Sequence, residues 1–381
     1  MQAIILTAGE SSRFWPLSEN NHKSLVEIMG KPIIVWTVEA LKRSGISEII
    51  IVQSNDKTIE GALGDGSSLG VKISYVVQKE VKGMGNAIMS AEKLIHGPFF
   101  VLNPNHYNAD FFLNMLLEKR RQTKAEMVLL GIETNNPQNY GILDLQDDKA
   151  VNLIEKPKEG SEPSNIKAVG IYLLPQDFFD YYRRVKEHTY AYEDALTLYM
   201  KEQDVRVVIT EKETSTLKYP WDLFSLSKAI MDANIAKQEI DSSVKIAKNV
   251  VIEGNVIIKE GTRIFENAVI KGPCYIGKNC IVGNNVLIRN HSVLEDETMI
   301  GANAEVARCL FQKNVHTHAG FFGDSIFDEG SRIGCGTITA NVKLDREEIV
   351  SSVKEKKVST KLNSLGMIVG HKVHLGVGVK T

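Results

Sequence analysis

IAKNVVIEGNVIIKEGTRIFENAVIKGPCYIGKNCIVGNNVLIRNHSVLEDETMIGANAEV, residues 246–306, carries an aliphatic side chain at every sixth position. Ile246, Ile252, Ile258, Ile264, Ile270, Ile276, Val282, Ile288, Leu294, Ile300 and Val306 make an unbroken run. In a chain that is 43% hydrophobic, chance gives such a run roughly once in ten thousand trials per register, so it is a true repeat. A period of six fits neither an amphipathic helix nor a simple alternating strand. It suits a coil of three short flat strands turned by small or polar residues, such as Gly254-Asn255, Glu260-Gly261 and Gly283-Asn284. In such a coil each strand points its aliphatic residue inward, and stacked coils share one continuous core. The spacing therefore predicts a hexapeptide β-helix, and argues against an irregular β-sandwich.

Beyond Val306 the repeat slips by three residues and resumes as Cys309, Val315, Phe321, Phe327, Ile333 and Thr339. A charged excursion follows from Asp345 to Leu362, with Lys354-Glu355-Lys356-Lys357 at its centre, before repeats return at Val369 and Leu375. An excursion leaving a β-helix on one side reads as a loop reaching a neighbour or a ligand. Its lysines read as a solvated face rather than a phosphate site.

A chain of 381 residues predicts two or three domains with ample cores. A formal charge of −2 and pI near 6.5 give no sign of a nucleic-acid or membrane-surface partner. There is no run of eighteen apolar residues, and Met1 leads directly into an apolar strand, so neither a membrane span nor a signal peptide is expected. Cys274, Cys280, Cys309 and Cys335 all fall in the repeat region and form no Cys-x-x-Cys pair, which predicts buried free thiols in a reducing cytoplasm.

The first 220 residues alternate strand and helix patterns. Strands are expected at Ala3–Thr7, Glu48–Val52, Ile73–Val77, Phe99–Asn103, Met127–Ile132, Gly141–Leu145, Val151–Ile154, Gly170–Leu174 and Val205–Thr210. Helices are expected at Pro32–Ser44, Asn86–Ile95 and Ala109–Arg121, the last capped by Asn108. Such alternation implies a largely parallel, Rossmann-like α/β sheet whose ligands bind beyond the carboxyl ends of the strands. The loop after the first strand, Leu6-Thr7-Ala8-Gly9-Glu10-Ser11-Ser12-Arg13-Phe14-Trp15-Pro16-Leu17, is rich in small residues that let backbone N–H groups approach phosphate, with Arg13 and Lys23 as neutralising charges.

Together with Val26–Ile33, Gln78 with Gly83, Tyr140-Gly141, Glu155-Lys156-Pro157 and Tyr219-Pro220-Trp221-Asp222, this loop resembles the sugar-1-phosphate nucleotidylyltransferases. Followed by a hexapeptide β-helix, the arrangement is similar to the bifunctional N-acetylglucosamine-1-phosphate uridylyltransferases/glucosamine-1-phosphate acetyltransferases and their archaeal relatives. The resemblance covers nearly the whole chain. It implies an α/β nucleotidyltransferase domain over residues 1–220, a helical connector over 221–240 and a left-handed β-helix, acyltransferase-like, over 241–381. The implied reaction joins a UTP- or dTTP-class nucleotide to a sugar 1-phosphate with release of pyrophosphate, a task of positioning and charge neutralisation. By resemblance Ala8 and Gly9 line the nucleotide loop, Arg13 and Lys23 hold phosphates, and Gln78 with Gly83 meets the base. Gly141, Glu155 and Lys156 face the sugar and its phosphate.

The family's Mg2+ is held by two aspartates, because a hard dication takes anionic oxygen ligands. At those two positions this chain has Asn105, in Leu102-Asn103-Pro104-Asn105, and Thr216. His106 and Asp110 stand nearby as candidate substitutes, although His106 reads rather as a turn residue and Asp110 as a first-turn helix residue favoured by the dipole. Ser11, His22, Met84 and Ala168 also depart from the family's glycine, proline, threonine and asparagine. The pattern reads as a fold kept and a reaction lost.

In the β-helix the resemblance makes His318 the base of an acetyl transfer from acetyl-CoA, a role suited to neutral imidazole. It gives Arg289 to the sugar phosphate and Asn341 to the substrate. Here Ala307 replaces a lysine, with Arg308 adjacent, Phe321 a tyrosine and Arg332 an asparagine. The family also implies a homotrimer built on β-helix flanks, or a heteromer with an active paralogue. Two functions follow as expectations: a nucleotidylyltransferase, with or without N-acetyltransferase activity, or a degenerate regulatory or scaffolding subunit that binds nucleotide sugar.

Overall fold

The structure, a computed structural model, describes residues 1–80 and 82–381. The chain forms two compact units, one of residues 1–10 and 34–215, the other of residues 11–33 and 216–381. Residues 11–33 thus do not group with the strands that flank them in sequence.

The first unit is built on nine strands among the described residues: β1 Gln2–Leu6, β2 Glu48–Gln53, β3 Lys72–Val77, β4 Phe99–Leu102, β5 Met127–Glu133, β6 Gly141–Gln146, β7 Lys149–Glu155, β8 Ile166–Leu174 and β9 Val205–Ile209. Their order is β3-β2-β1-β4-β8-β5-β9-β7-β6. The four strands at one side pair in parallel; β1, β2 and β4, such as Gln2-Ala3-Ile4-Ile5-Leu6, are buried on both faces, and the edge strand β3 is half-buried. The other side is mixed: β8 runs antiparallel to β4 and β5, and β7 antiparallel to β6 and β9. The largely parallel sheet expected from sequence is corrected here. Strand polarity depends on the connection, and the short link between Gln146 and Lys149 makes a hairpin where a crossover helix would be needed for a parallel pair.

The helices of this unit are α1 Ile33–Arg43, α2 Thr58–Leu63, α3 Met84–Ser90, α4 Ala109–Thr123, α5 Phe178–Arg183 and α6 Ala191–Glu202. The expected helix over Asn86–Ile95 is shorter, breaking at Ala91 into a 3-10 turn. Asn108 precedes α4 as expected but makes no side-chain cap; its Oδ1 is buried without a partner. Phe99, Phe178, Phe179, Tyr192 and Tyr199 fill one core between the sheet, α5 and α6.

The second unit is a left-handed β-helix of three parallel sheets, with seven, seven and six strands among the described residues. Residues eighteen apart stack from coil to coil, as in Val256↔Cys274 and Ile270↔Ile288. Ile258, Ile264, Ile270, Ile276, Val282, Ile288, Leu294, Ile300 and Val306 are all buried in one core. Ile246, read as inward, is 46% exposed because its coil ends the stack. Past the slip, Phe322 rather than Phe321 enters the core, meeting Phe311 and Phe327 edge to face. Asn249, Asn267, Asn285 and Asn303 form an amide ladder on one corner, each with φ near +60°, the left-handed region Asn tolerates. Three of the four cysteines are buried, but Cys335 is exposed, against expectation.

The outward residues of one sheet, Ile257, Tyr275, Val293, Leu310 and Ile326, are buried as well. Residues 11–33 account for part of this cover. The Gly30 N–H donates to Glu295 Oε2 at 2.7 Å, and the Gln312 side chain bonds both the N–H and the carbonyl of Glu27 at 3.0 Å. These backbone groups have their partners on the β-helix, which is why the segment belongs to this unit. Helix α7, Asp222–Asn234, lies within the expected connector and is tied to the β-helix by Asp232 and His291 at 2.7 Å. The excursion contains an antiparallel hairpin, Val350–Val353 with Lys356–Ser359. No helix among the described residues is long and apolar enough to cross a membrane.

Candidate active site

In the first unit, β1 ends at Leu6 and delivers Ala8, buried in the core, and Gly9, exposed, with open space where a Cβ would stand. Gln78 leaves β3 buried, its amide nitrogen donating to Asn86 Oδ1 at 2.8 Å and to the Gly83 carbonyl at 3.2 Å. Its head group is therefore held in one orientation, as reading a base edge requires. Gly83 starts α3 with φ +94°, a conformation a side chain resists. Lys82 spans Glu80 at 2.6 Å and Glu187 at 3.3 Å beside a cleft of about 350 Å3 lined by Lys82, Gly83, Glu187, His188 and Thr189.

The residues that the resemblance gives to the sugar also converge. Gly141 on β6 pairs with Glu155 on β7, and a Cβ at Gly141 would lie 2.8 Å from Glu155 Oε2. The missing side chain thus makes room for the carboxylate. Lys156, at φ +49°, places Nζ 3.6 Å from Glu155 Oε1 and 5.8 Å from the Tyr190 ring centre. Tyr172 on β8 and Tyr192 at the start of α6 meet edge to face at 5.4 Å, and Glu193 follows. Sequence reasoning missed Tyr192 and Glu193, which belong to no motif; the only signal is a pair of polar atoms in an otherwise apolar helix face.

The metal position does not fit a magnesium ion. Asn105 is buried, its amide nitrogen donates to the Ser215 carbonyl at 2.5 Å, and the side chain carries no negative charge to offer a cation. Asp110 is committed to Arg43 through two hydrogen bonds of 3.0 and 3.1 Å. His106 is fully enclosed, both ring nitrogens lack partners, and burial drives its pKa down to about 4. Among the described residues no three His, Cys, Asp or Glu side chains are grouped to hold a metal. Neither stand-in read from the sequence therefore substitutes for the aspartates.

In the second unit, Ser11 takes φ +49°, a left-handed turn that glycine adopts more cheaply. Arg13 is exposed. The Lys23 ammonium donates to the Leu217 carbonyl at 2.7 Å; burial, then the Arg13 charge, lower its pKa. Thr216 is exposed and neutral. On the β-helix, His318 is exposed at a corner. Arg289 donates twice to Glu305 Oε1, at 3.0 and 2.7 Å. Asn341 donates to Asp324 Oδ2 at 2.5 Å, and Arg308 grips the same carboxylate through both oxygens at 2.5 and 2.7 Å. Arg308, expected to stand in for the lysine at Ala307, is therefore already paired. Arg332 is spent on the backbone carbonyls of Asn314, Gly330 and Ser331.

The Nucleotidyl transferase family model matches residues 2–224, and that of the bacterial transferase hexapeptide (six repeats) matches residues 255–290. A bifunctional sugar-1-phosphate nucleotidylyltransferase/acetyltransferase of Sulfurisphaera tokodaii is 31% identical, over 100% of this chain and 92% of the relative. The bifunctional protein GlmU of Methanocaldococcus jannaschii is 32% identical over 100% of this chain and 90% of its own. In shape, a putative glucose-1-phosphate thymidylyltransferase from Bacillus anthracis superposes with a TM-score of 0.55 at 23% identity, covering 62% of this chain and 98% of that one. With a match over more than half its length and full-length relatives above 30% identity, this chain belongs to the nucleotidyl transferase family and carries a transferase hexapeptide region behind the nucleotidyltransferase domain.

Proposed function

We propose that this protein binds a UTP- or dTTP-class nucleotide, or the corresponding nucleotide sugar, together with a sugar phosphate, and does not carry out magnesium-dependent nucleotidylyl transfer. The observation that carries this reading is Asn105, whose amide donates to the Ser215 carbonyl at the position where the family's reaction takes a metal-binding carboxylate. The binding framework supports the other half: Gln78 is oriented, Glu155 overlies Gly141, and Lys156 stands beside it. In this reading Arg13 and Lys23 hold phosphates. The protein then acts in sugar-nucleotide metabolism of the cytoplasm as a binding subunit, assembled through its β-helix as a homotrimer or with an active paralogue.

Titration calorimetry with UTP, dTTP and their sugar derivatives, with and without magnesium, tests this directly. Binding that survives EDTA, with no pyrophosphate released across a panel of sugar 1-phosphates, is the expected result. Brisk, EDTA-sensitive pyrophosphate release overturns it. A second reading, acetyl transfer from acetyl-CoA at the β-helix, is favoured by the exposure of His318. The pairing of Arg289 with Glu305 and of Asn341 with Asp324 weighs against it, since both polar grips are already occupied within the chain. Release of free CoA in the presence of an amino-sugar phosphate, lost in His318→Ala, is the result that would establish it.

A further inference from the structure

The first turn of α6, the helix that packs on β7 and so approaches Glu155, holds two polar atoms the fold leaves unsatisfied. Tyr192, 3% exposed, has a buried hydroxyl with no hydrogen-bond partner, and so does the buried Oε2 of its neighbour Glu193. Buried polar atoms are nearly always paired, so a partner is missing from the chain itself. Both side chains emerge from the first turn of α6, and the Tyr192 ring packs edge-on against Tyr172.

The surroundings are acidic. Burial raises the Glu193 pKa; its own backbone N–H, donating to the carboxylate, opposes this, the Glu155 and Asp194 charges add to the rise, and His188 opposes it. The Glu193 and Glu155 charges also act on the Tyr172 hydroxyl. His188 is bonded to Asp194 at 2.9 Å, and the Lys156 ammonium sits beside Glu155 and is 56% exposed. Among the described residues Glu193 itself makes no ion pair. An ionised carboxylate offers acceptors only, and one that burial and like charge both disfavour is best matched by a group bringing donors and positive charge together.

We propose that Glu193 sets the specificity of this subsite by accepting a hydrogen bond from the ammonium of an unacetylated amino-sugar phosphate, with Tyr192 Oη as the second contact. This rests on the reading of Glu155 and its neighbours as a sugar-phosphate site and names the sugar class that site takes. A neutral hydroxyl at the same carbon makes a weaker bond and leaves the acidic cluster uncompensated. An acetamido group loses the charge and adds bulk beside two buried aromatic rings.

Titration calorimetry of the full chain at neutral pH with glucosamine 1-phosphate, N-acetylglucosamine 1-phosphate and glucose 1-phosphate decides the matter. Glucosamine 1-phosphate is expected to bind about tenfold more tightly than glucose 1-phosphate, the gain of one charge-assisted contact. Glu193→Gln is expected to bring that ratio to within about twofold, and Tyr192→Phe to narrow it by less. Repeated in Arg289→Ala, which removes the β-helix contact to a sugar phosphate, the ratio stands as a test even if a Glu193 or Tyr192 variant fails to fold. Equal affinities, or a preference for the acetylated sugar, overturn the inference while leaving the sugar-phosphate reading intact. Failure of all three ligands to bind overturns both.

Discussion

Glu295 shows how far a single side chain departs from its sequence context. It sits in a turn of the repeat, where a glutamate reads as solvated, yet it is fully buried. Oε2 accepts from the Gly30 N–H, and Oε1 has no partner. Burial raises its pKa well above the ordinary 4.5, and the charges of Glu27 and Asp296 push the same way. The folded chain thus holds a proton that the unfolded chain releases. That stabilising contribution is complete below about pH 4.5 and is lost as pH rises toward the folded value. Glu295→Gln keeps an acceptor for Gly30 and cannot ionise. Its stability should match wild type near pH 4 and exceed it at pH 8. Urea denaturation at a series of pH values checks this; parallel curves for the two proteins would show that the carboxyl is paired in solution. At Asn105 the same reasoning runs the other way. Asn105→Asp sets a carboxylate against the Ser215 carbonyl and removes a donor, so the melting temperature should fall by several degrees, a loss of roughly 1–3 kcal/mol. Added magnesium should not recover the fall, because a lone carboxylate is a poor seat for a hard dication. Full recovery in the single variant would mean that one carboxylate suffices for the metal.

At the scale of elements, the β-helix was the legible part. Its period binds each sixth residue to one buried direction, so the sequence positions and the core coincide from Ile258 to Val306. Energetically the inner position matters more than the residue type. Ile276→Ala, at a fully buried site, should cost about 2–5 kcal/mol. Ile246→Ala, on the open terminal coil, should cost under about 1 kcal/mol. Comparable losses from the two, measured by denaturant unfolding, would mean that the first coil is covered in solution. Where the repeat loses regularity the reading failed: the coil spacing drops to sixteen between Glu305 and Phe321, and a pattern counted in sixes cannot say which of two adjacent phenylalanines turns inward. The mixed sheet was illegible for a related reason, since strand polarity is a property of connections rather than of the apolar runs themselves. In the site, motif positions carried the missing aspartates plainly. They carried nothing of Tyr192 and Glu193, whose meaning lies in what surrounds them in space.

At the scale of the whole molecule, the three faces of the β-helix are covered unequally. One has its outward residues buried by the chain's own segments, from Ile257 through Ile326. A second presents a polar column, Lys245, Arg263, Ile281, Met299, His316, Arg332 and His374. The third stacks Val251, Val269, Leu287, Glu305, Phe321 and Ile338 in register up its outer surface, with Val251 43% and Ile338 41% exposed. A flat apolar column on parallel strands of matched pitch is a surface that further copies of itself can cover. If the chain assembles as proposed, the third face rather than the polar one is therefore expected to line the interface. Leu287→Glu places a charge at its middle, opposite Glu305 in the stack, and should shift the protein to monomers in size-exclusion chromatography with light scattering. The fold should survive, because Leu287 points away from the buried core that holds Ile288. Arg263→Glu on the polar face serves as the comparison and should leave the assembly unchanged. If Arg263→Glu dissociates the protein while Leu287→Glu does not, the subunits meet through charge on the second face, and the apolar column is left for a different partner.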